Sequence, residues 1–342
     1  MKSIRLLLAS AAAFAAAVQL HAAKEVNLFG WSEYVPQAVL DKFTAETGIK
    51  VNYETYASNE EMLSKLLGGA AHYDLIQPSE YVVEALRAKG KLAEIDFKNV
   101  PNIKNIAPAY LHRPHDPEQK YSVPYMAGAI CIVVNKEKVK EPITGYADVF
   151  SGKYKGRIVV LNDNREILCW ALETLGMDLN DIRPETIEKA KPLLKEWLPQ
   201  VKVFDSDSPK TSLLNGDVDV GIVWPGEGAL VYRENKNKFT CLLPKEGSHV
   251  TIDSLAIPKG APHKAEAEQF INFILRPEIS VLISEAFPYT NPNKEACKLL
   301  SKEQLENPAS YPAGVEKLPT FRDIGKAASQ VDKLITDLKG GS

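Results

Sequence analysis

Short runs rich in β-branched residues alternate with amphipathic helical segments along most of this chain. Residues 25–30 are predicted to form a strand, 35–48 a helix that stops at Gly48, and 49–56 a second strand. This alternation is the strongest constraint on the fold, because strands that alternate with helices build βα units around largely parallel sheets. The predicted fold class is therefore α/β.

The remaining segments continue the same alternation. Ser58 is a candidate N-cap, because Glu61 stands three residues later as in a capping box. Each half of the chain has the strand and helix order of a doubly wound lobe. Further strands are predicted over 73–79, 157–163, 202–207 and 218–224, and further helices over 58–69, 81–90, 165–176, 184–198 and 208–216.

The length predicts two lobes, because about 320 mature residues exceed what one core usually fills. A strand-like segment over 122–136 is predicted to cross between the lobes, and a return strand over 249–262 to cross back. Two crossings make a hinge, which permits closure over a ligand. The predicted division is a signal peptide over 1–22, a first lobe over 24–127 and 253–297, and a second lobe over 128–252 and 298–342.

The first residues have the pattern of a secretory signal peptide. Lys2 and Arg5 precede an apolar run over 6–18, and the small residues Ala22 and Ala23 follow it. The run is short for a membrane span, so a retained N-terminal anchor is the less favoured alternative. No cysteine lies near the cleavage region to accept a lipid. We therefore expect a mature protein that is free in an extracytoplasmic space.

The net charge and the positions of the cysteines limit the classes of function that fit this chain. Without the two basic residues of the signal peptide, 39 of the 41 basic residues remain against 44 acidic ones, a formal net charge of −5. Nucleic-acid binding needs a basic face, so it is excluded. The cysteines lie in apolar segments without CxxC spacing, which favours buried free thiols, although an oxidising compartment also permits a disulfide. They are Cys131, Cys169, Cys241 and Cys297.

Polar and aromatic residues cluster where four predicted strands end, and open α/β sheets bind ligands at such ends. Some have an ordinary structural alternative: Trp31 is also a candidate core residue, and Ser79 and Asp163 are candidate helix caps. Asp253 and Tyr289 lie near the return crossing and in a later turn. The strand-end residues are Trp31, Ser32, Glu33, Tyr34, Ser79, Glu80, Tyr81, Asn162, Asp163, Asn164, Arg165, Glu166, Trp224 and Glu227.

This set combines rings and carboxylates with few cationic groups, which is the chemistry that an ammonium ligand requires. A ring face contributes about 0.5–2 kcal/mol to the binding of a protonated amine, and a charged hydrogen bond about 1.5–3 kcal/mol. Burial of four methylene groups adds on the order of 3 kcal/mol. After the entropy cost of association, the residues predict capture of a small cation with about micromolar affinity.

Several segments together resemble the periplasmic spermidine/putrescine-binding proteins of ABC transporters. They are WSEYVP, YDLIQPSEY, NDNRE, GIVWPGEGA, IDSLAIP and FILRPE, and the likeness runs from about residue 25 to 312. The resemblance implies a type II periplasmic-binding-protein fold, in which each lobe has a central mixed sheet flanked by helices. It also implies a periplasmic monomer without a cofactor that binds a polyamine by hinge closure and delivers it to an ABC permease.

The resemblance also implies site residues, position by position. The aromatic walls are Trp31, Tyr34, Trp224 and Tyr289, the polar lining is Ser32, Ser79, Tyr81 and Ser206, and the carboxylates that hold amines are Asp163, Glu166 and Asp253.

Two positions depart from the family pattern. Thr251 stands where a further ring is expected, and an expected glutamine falls at Phe321 or Arg322. Arg322 would repel an amine if it faced the cleft. Glu33 is a further candidate, and Glu227 is expected to supply an extra anion. These departures concern the identity of the ligand more than the capture of a cation.

Other functions stay open at this point. A receptor for another solute such as an amino acid, a guanidino compound or ferric ion is the alternative. Thr251 and Arg322 keep an amino-acid-like ligand open, because an arginine suits a carboxylate. Iron receptors of similar fold favour paired tyrosines, and no Tyr-Tyr dipeptide occurs here. An enzyme is disfavoured, because the chain has no GxSxG turn, HExxH motif or glycine-rich phosphate loop. No metal site is predicted, since a histidine pair in a loop, such as His112 and His115, is usually solvated. A signalling receptor would share all these features.

Overall fold

The computed structural model describes residues 24–69 and 72–340. The predicted signal peptide lies outside these described residues. None of the helices in the two described ranges has the length and apolar character that a membrane span requires. Within these ranges ten strands form two five-stranded sheets.

The first sheet is mixed. Its strands are β1 (Glu25–Trp31), β2 (Lys50–Tyr56), β3 (Leu75–Ile76), β4 (Ser122–Ala129) and β10 (Val250–Ala256). The spatial order is β2-β1-β3-β10-β4. β1 runs parallel to β2 and to β3, whereas β10 runs antiparallel to β3 and to β4. β10, which is late in the sequence, therefore lies between the earlier strands β3 and β4.

The second sheet is also mixed. Its strands are β5 (Cys131–Asn135), β6 (Ile158–Val160), β7 (Val203–Phe204), β8 (Val220–Val223) and β9 (Phe239–Leu242). The spatial order is β7-β6-β8-β5-β9. β6 is parallel to β7 and to β8, and β5 is antiparallel to β8 and to β9. Both sheets therefore have the parallel core that the sequence predicts, plus antiparallel strands.

Helices surround the two sheets. They are α1 (Gln37–Thr47), α2 (Asn59–Gly68), α3 (Glu80–Ala88), α4 (Tyr146–Val149), α5 (Asn164–Thr174), α6 (Pro184–Trp197), α7 (Pro209–Leu214), α8 (Pro225–Glu234), α9 (Lys264–Ile274), α10 (Pro277–Ala286), α11 (Lys294–Cys297), α12 (Lys302–Leu305) and α13 (Ala328–Gly340). Short 3-10 helices lie over Pro101–Asn105, Pro108–Tyr110, Leu198–Gln200, Val315–Lys317 and Gly325–Ala327.

Local signals in the sequence set the helix ends. α1 ends at Gly48, whose φ of 70° is the left-handed conformation that glycine adopts without a Cβ clash. Before α2, the Ser58 side chain accepts a hydrogen bond of 3.1 Å from the backbone N–H of Glu61. Both predicted helix ends are confirmed.

Each sheet has its own buried core. In the first lobe, the ring of Phe43 contacts Phe270 and Phe273 at centroid distances of 5.0 and 5.2 Å. In the second lobe, the rings of Tyr146 and Trp170 stack at 6.0 Å. Separate cores on separate sheets confirm the predicted two-lobed α/β fold.

The chain crosses between the sheets near the predicted positions. β4 ends at Ala129 and β5 begins at Cys131, while residues 243–249 connect β9 to β10. The predicted lobe boundaries fall inside the last residues of β4 and the first residues of β10. The tail over 298–342 also differs from its predicted assignment to the second lobe alone. Val315 packs into the first core, whereas Val331 and Ile335 of α13 pack into the second.

The cysteines are free thiols. Cys131, Cys169 and Cys241 are buried, and Cys297 is half-buried. The preference for unpaired, buried thiols is therefore confirmed for the first three. Cys131 and Cys241 pack among apolar neighbours, whereas Cys169 lies beside His249.

Replacement of Phe43 by alanine is expected to lower the free energy of unfolding by about 3–5 kcal/mol, because a fully buried ring leaves a cavity between α1 and α9. Urea denaturation followed by circular dichroism measures the loss. Leu299→Ala is the control, because Leu299 is 58% exposed and its loss should change stability by less than about 0.5 kcal/mol. Equal stability of the two variants would contradict the packing described above.

Candidate ligand-binding site

The two lobes face each other across a cleft of about 990 Å³, a volume that includes space open to solvent. The cleft lies where strands of both sheets end, as the strand-end argument predicts. The strand-end residues Glu80, Asn162 and Asn164 do not line it, but every residue with a predicted binding role except Arg322 does. These residues are Trp31, Ser32, Glu33, Tyr34, Ser79, Tyr81, Asp163, Glu166, Ser206, Trp224, Glu227, Thr251, Asp253, Tyr289 and Phe321. Their part in binding remains a prediction.

A buried carboxylate, Asp253, forms the floor of the cleft on the first lobe. Its Oδ2 accepts a 2.8 Å hydrogen bond from the Tyr34 hydroxyl, and its Oδ1 accepts a 2.7 Å bond from the Ser79 hydroxyl. Burial raises the pKa of Asp253 to about 6, although both hydroxyl donors favour the charged form. Asp253 is therefore a carboxylate that lacks the solvation it would have in water.

The backbone explains how Asp253 reaches this position. The register of β10 against β4 shifts between Asp253 and Ser254, and such irregularities redirect side chains. An isolated bridge also joins Asp253 to Ser79 at the start of α3. Ser79 occupies the N-cap position of α3 but makes no capping hydrogen bond. Its hydroxyl donates to Asp253 instead, so the capping alternative is not observed.

Two acids of the second lobe lie at the start of α5. Asp163 caps this helix, because its Oδ1 accepts a 3.0 Å hydrogen bond from the backbone N–H of Glu166. Desolvation in the cleft raises the pKa of Asp163 to about 7, and the charge of Glu166 adds to the shift. Asp163 thus serves both as a helix cap and as part of the cleft lining.

Glu166 is paired inside the protein. Its Oε1 lies 3.0 Å from Nε2 of His249, and both residues are buried. Burial opposes the protonated imidazole, but the negative charges of Glu166, Glu173 and Glu80 raise the pKa of His249 to about 9. Glu166 is predicted to hold a ligand amine, but His249 already pairs with its carboxylate and would compete with the amine.

Aromatic rings from both lobes form the walls. On the first lobe, the ring of Tyr34 lies 6.1 Å from Trp31 and 5.2 Å from Tyr289. On the second lobe, Trp224 Nε1 donates a 2.9 Å hydrogen bond to the carbonyl oxygen of Ser206, which fixes the indole. A Cβ at Gly226 would lie 2.1 Å from a ring carbon of Tyr289, so this close approach requires glycine.

Polar contacts join the lobes at the cleft rim. Ser32 donates a 3.1 Å hydrogen bond to Asp207, and Lys210 Nζ lies 3.0 Å from Glu33 and 2.8 Å from Glu227. The expectation that Glu227 supplies an extra anion is therefore corrected, because Lys210 already neutralises the Glu227 carboxylate. The same lysine reaches across to Glu33 of the first lobe.

Arg322 lies outside the cleft. Its Nε donates a 3.0 Å hydrogen bond to Glu84 at an exposed position, so Arg322 does not face the cleft and does not oppose a ligand amine there. Phe321 faces the cleft instead, because the backbone N–H of Phe321 donates a 3.2 Å hydrogen bond to the buried carboxylate of Glu80. The Arg165 guanidinium lies 4.8 Å from the centroid of the Phe321 ring.

Sequence reasoning did not single out four functional neighbours. Asn59 donates to Ser79 at 3.1 Å and to Tyr81 at 2.9 Å, while Lys210 and His249 neutralise acids of the cleft. Asp207 accepts from Ser32 across the cleft. Asn59 and Lys210 each stand in the first turn of a helix after a predicted strand, which is the signal that could have identified them.

Comparison with known proteins points to one family. The family model described as bacterial extracellular solute-binding protein matches residues 38–313. The spermidine/putrescine-binding periplasmic protein of Salmonella typhimurium is 39% identical over 345 residues, which cover 98% of this chain and 98% of that protein. The putrescine-binding periplasmic protein PotF of Escherichia coli is 33% identical and covers 84% of this chain and 83% of its own length.

A solved structure agrees with these relatives. The spermidine/putrescine substrate-binding protein PotD from Streptococcus pneumoniae superimposes with a TM-score of 0.80 at 31% identity. The match covers 93% of this chain and 99% of that structure.

Replacement of Asp253 by asparagine is expected to stabilise the ligand-free protein at pH 8. Between pH 4 and 6 the unfolded state loses the Asp253 proton while the folded state keeps it, so stability falls as the pH rises through this window. The rise of this pKa from 3.8 to about 6 corresponds to about 3 kcal/mol. Thermal unfolding at pH 8 and pH 4 measures the difference between variant and wild type.

The gain in stability of Asp253→Asn over wild type should be present at pH 8 and absent at pH 4. Asp217→Asn is the matched control, because Asp217 is exposed and should show no difference at either pH. A variant of Asp253 that is no more stable than wild type at pH 8 would contradict the cost assigned to this buried charge.

Proposed function

Because this chain belongs to the bacterial extracellular solute-binding protein family, we propose that it is a periplasmic receptor for a polyamine such as putrescine or spermidine. The resemblance predicted from the sequence motifs is confirmed by the family match and by relatives over nearly the full length. The receptor acts as a monomer and delivers its ligand to an ABC permease.

One observation carries this proposal. Asp253 of the first lobe and Asp163 of the second line one cleft, together with the indoles of Trp31 and Trp224. Asp253 is held by neutral hydroxyls and Asp163 by a backbone N–H. An ammonium group donates three hydrogen bonds and brings positive charge to both carboxylates, of which Asp163 also feels the charges of Arg165 and Lys339. A diamine whose ends reach the two acids would also lay its methylene groups against the rings.

The energetics favour such a ligand over a neutral one. A charged hydrogen bond contributes about 1.5–3 kcal/mol, and an ammonium over a ring about 0.5–2 kcal/mol. A buried carboxylate that receives a cation also recovers part of its desolvation cost. A neutral solute of the same shape would leave Asp253 without a countercharge.

Ligand contact with both lobes supplies the drive for closure. A ligand stabilises the closed form only by binding it more tightly than the open form. Trp31 and Asp253 meet the ligand from one side, and Trp224 and Asp163 from the other, so the full set of contacts exists only when the lobes are together. The Lys210 to Glu33 ion pair adds a ligand-independent contact to the same closed arrangement.

An amino-acid ligand is not favoured. Arg322, the residue that suited a carboxylate, is paired with Glu84 outside the cleft. Arg165 lines the cleft, and its Nη2 donates a 3.0 Å hydrogen bond to the carbonyl oxygen of Leu179 while its guanidinium lies against Phe321. Its buried Nη1 has no hydrogen-bond partner among the described residues. We also propose that the bound amine leaves unchanged, since the role of the acids here is to hold charge.

Replacement of Asp253 by asparagine is expected to weaken putrescine and spermidine binding by about tenfold to a hundredfold, because one charged hydrogen bond is lost. Isothermal titration calorimetry on ligand-free protein measures the dissociation constants. Arg322→Ala is the control and should bind within about twofold of wild type, because Arg322 lies outside the cleft. Wild-type affinity in the Asp253 variant would refute the assigned role.

Polyamine affinity is expected to fall as the pH drops from 8 to 5. Protonation of Asp163 below about pH 7 and of Asp253 below about pH 6 removes the charges that hold the amines. The ligand amines stay protonated throughout, because amines of this kind titrate near pH 10. Calorimetry at pH 8, 7, 6 and 5, in buffers of different ionisation enthalpy, measures both affinity and proton release.

The pH range over which the affinity changes distinguishes the contribution of Asp163 from that of Asp253. Asp253→Asn should retain only the part of the pH dependence that lies near pH 7. An affinity in wild type that is flat from pH 8 to 5 would show that these carboxylates do not hold the ligand.

A further inference from the structure

We propose that Cys169, Glu173 and His249 form a zinc-binding site in the second lobe, behind the wall of the cleft. Cys169 and Glu173 are four residues apart on α5, so their side chains lie on the same face of the helix. His249 approaches from the connection between β9 and β10. The donor atoms of the three side chains lie within 4.8 Å of one another, and all three residues are buried.

The distances suit a small cation. Cys169 Sγ lies 3.9 Å from Nδ1 of His249. Zinc bonds of about 2.3 Å to sulfur and about 2.0 Å to imidazole nitrogen together span about 4.3 Å, so a zinc ion fits between these atoms with a bent angle. A carboxylate oxygen of Glu173 lies within 4.8 Å of both donor atoms.

A second observation points independently to a ligand. Oε2 of Glu173 is buried and has no hydrogen-bond partner among the described residues, in a side chain that is only 7% exposed. Buried carboxylate oxygens in native proteins are nearly always paired, because an unpaired one loses its hydration without compensation. A cation bound between Cys169 and His249 would supply the missing partner.

The surroundings of His249 favour metal binding through Nδ1. Its Nε2 lies 3.0 Å from Oε1 of Glu166, which holds one ring proton on Nε2, so that Nδ1, once it gives up its own proton, directs a lone pair toward Cys169. Metal-binding histidines usually donate their other N–H to such a carboxylate. The Phe321 ring also stacks on the imidazole at 4.0 Å and fixes its orientation.

The donor set selects the metal. One thiolate, one imidazole and one carboxylate suit zinc, whereas calcium and magnesium prefer oxygen ligands alone. Binding releases the thiol proton of Cys169 and any second imidazole proton of His249 to solvent. The thiolate and the Glu173 carboxylate then balance the two positive charges of the ion, so the buried cluster carries no net charge.

The site has a structural consequence for the cleft. A zinc ion would bind the crossing segment, through His249, to α5, through Cys169 and Glu173. His249 in turn holds Glu166, which lines the cleft. Zinc is therefore a positioning group here, and its binding does not depend on the identity of the cleft ligand.

Metal titration of the tag-free mature protein after treatment with EDTA tests this site. Calorimetry is expected to give one zinc ion per chain, and zinc should raise the thermal unfolding midpoint. Cobalt(II), used as a probe, is expected to give the near-ultraviolet charge-transfer absorption of a thiolate-bound ion. Magnesium and calcium should produce neither effect.

Variants of the three proposed ligands test which side chains bind the metal ion. Cys169→Ser should abolish the cobalt charge-transfer band and weaken zinc binding at least about tenfold. Cys131→Ser is the matched control, because Cys131 is a buried thiol of the same lobe outside the cluster and its loss should leave the band intact. Glu173→Gln keeps the shape of the side chain and should weaken zinc binding with the band retained, which covers the case in which Cys169→Ser does not fold.

The proposal is overturned if wild-type protein shows neither the cobalt band nor a zinc-dependent rise in the unfolding midpoint. It is also overturned if both Cys169→Ser and Glu173→Gln bind zinc as wild type does. Either result would leave polyamine binding untouched, because the cleft carboxylates Asp163 and Asp253 are not ligands of this site.

Discussion

The burial of the Asp253 carboxylate is the constraint on which the rest of the site depends. A charge removed from water is costly unless it is paired, and Asp253 is 4% exposed with two neutral hydroxyls as partners. The fold creates this situation by returning β10 into the first sheet between β3 and β4. The protein therefore contains a preformed anionic position at the junction of its two lobes, which a cationic ligand completes.

Pairing inside the protein decides how many of the acids are free for a ligand. Glu227 is neutralised by Lys210, and Glu166 is paired with His249. A count of carboxylates in the sequence would therefore overestimate the charge that the cleft offers. In the described contacts, Asp253 on the first lobe has no lysine or histidine at hydrogen-bond distance. The preference of the cleft for a cation therefore depends on where the unpaired carboxylates lie and not on the total number of acids.

The sequence predicts what depends on local patterns. Trp31, Ser79 and Asp163 follow strands, and the structure places all three around the cleft. The third strand is shorter than predicted, because the ladder contains only Leu75–Ile76 before Pro78, which has no N–H to donate. Side-chain directions set by distant partners are not readable in this way. Arg322 is turned outward by Glu84, 238 residues away in the sequence, and Glu166 meets His249 across 83 residues.

Carbon-13 NMR of the Asp253 carboxyl group, titrated with and without saturating putrescine, tests the central claim most directly. The account predicts a pKa of about 6 in the ligand-free protein, because burial disfavours the charged form, and a lower pKa in the complex, because an ammonium group stabilises it. An ordinary pKa near 3.8 without ligand, or a raised pKa that putrescine leaves unchanged, would contradict it.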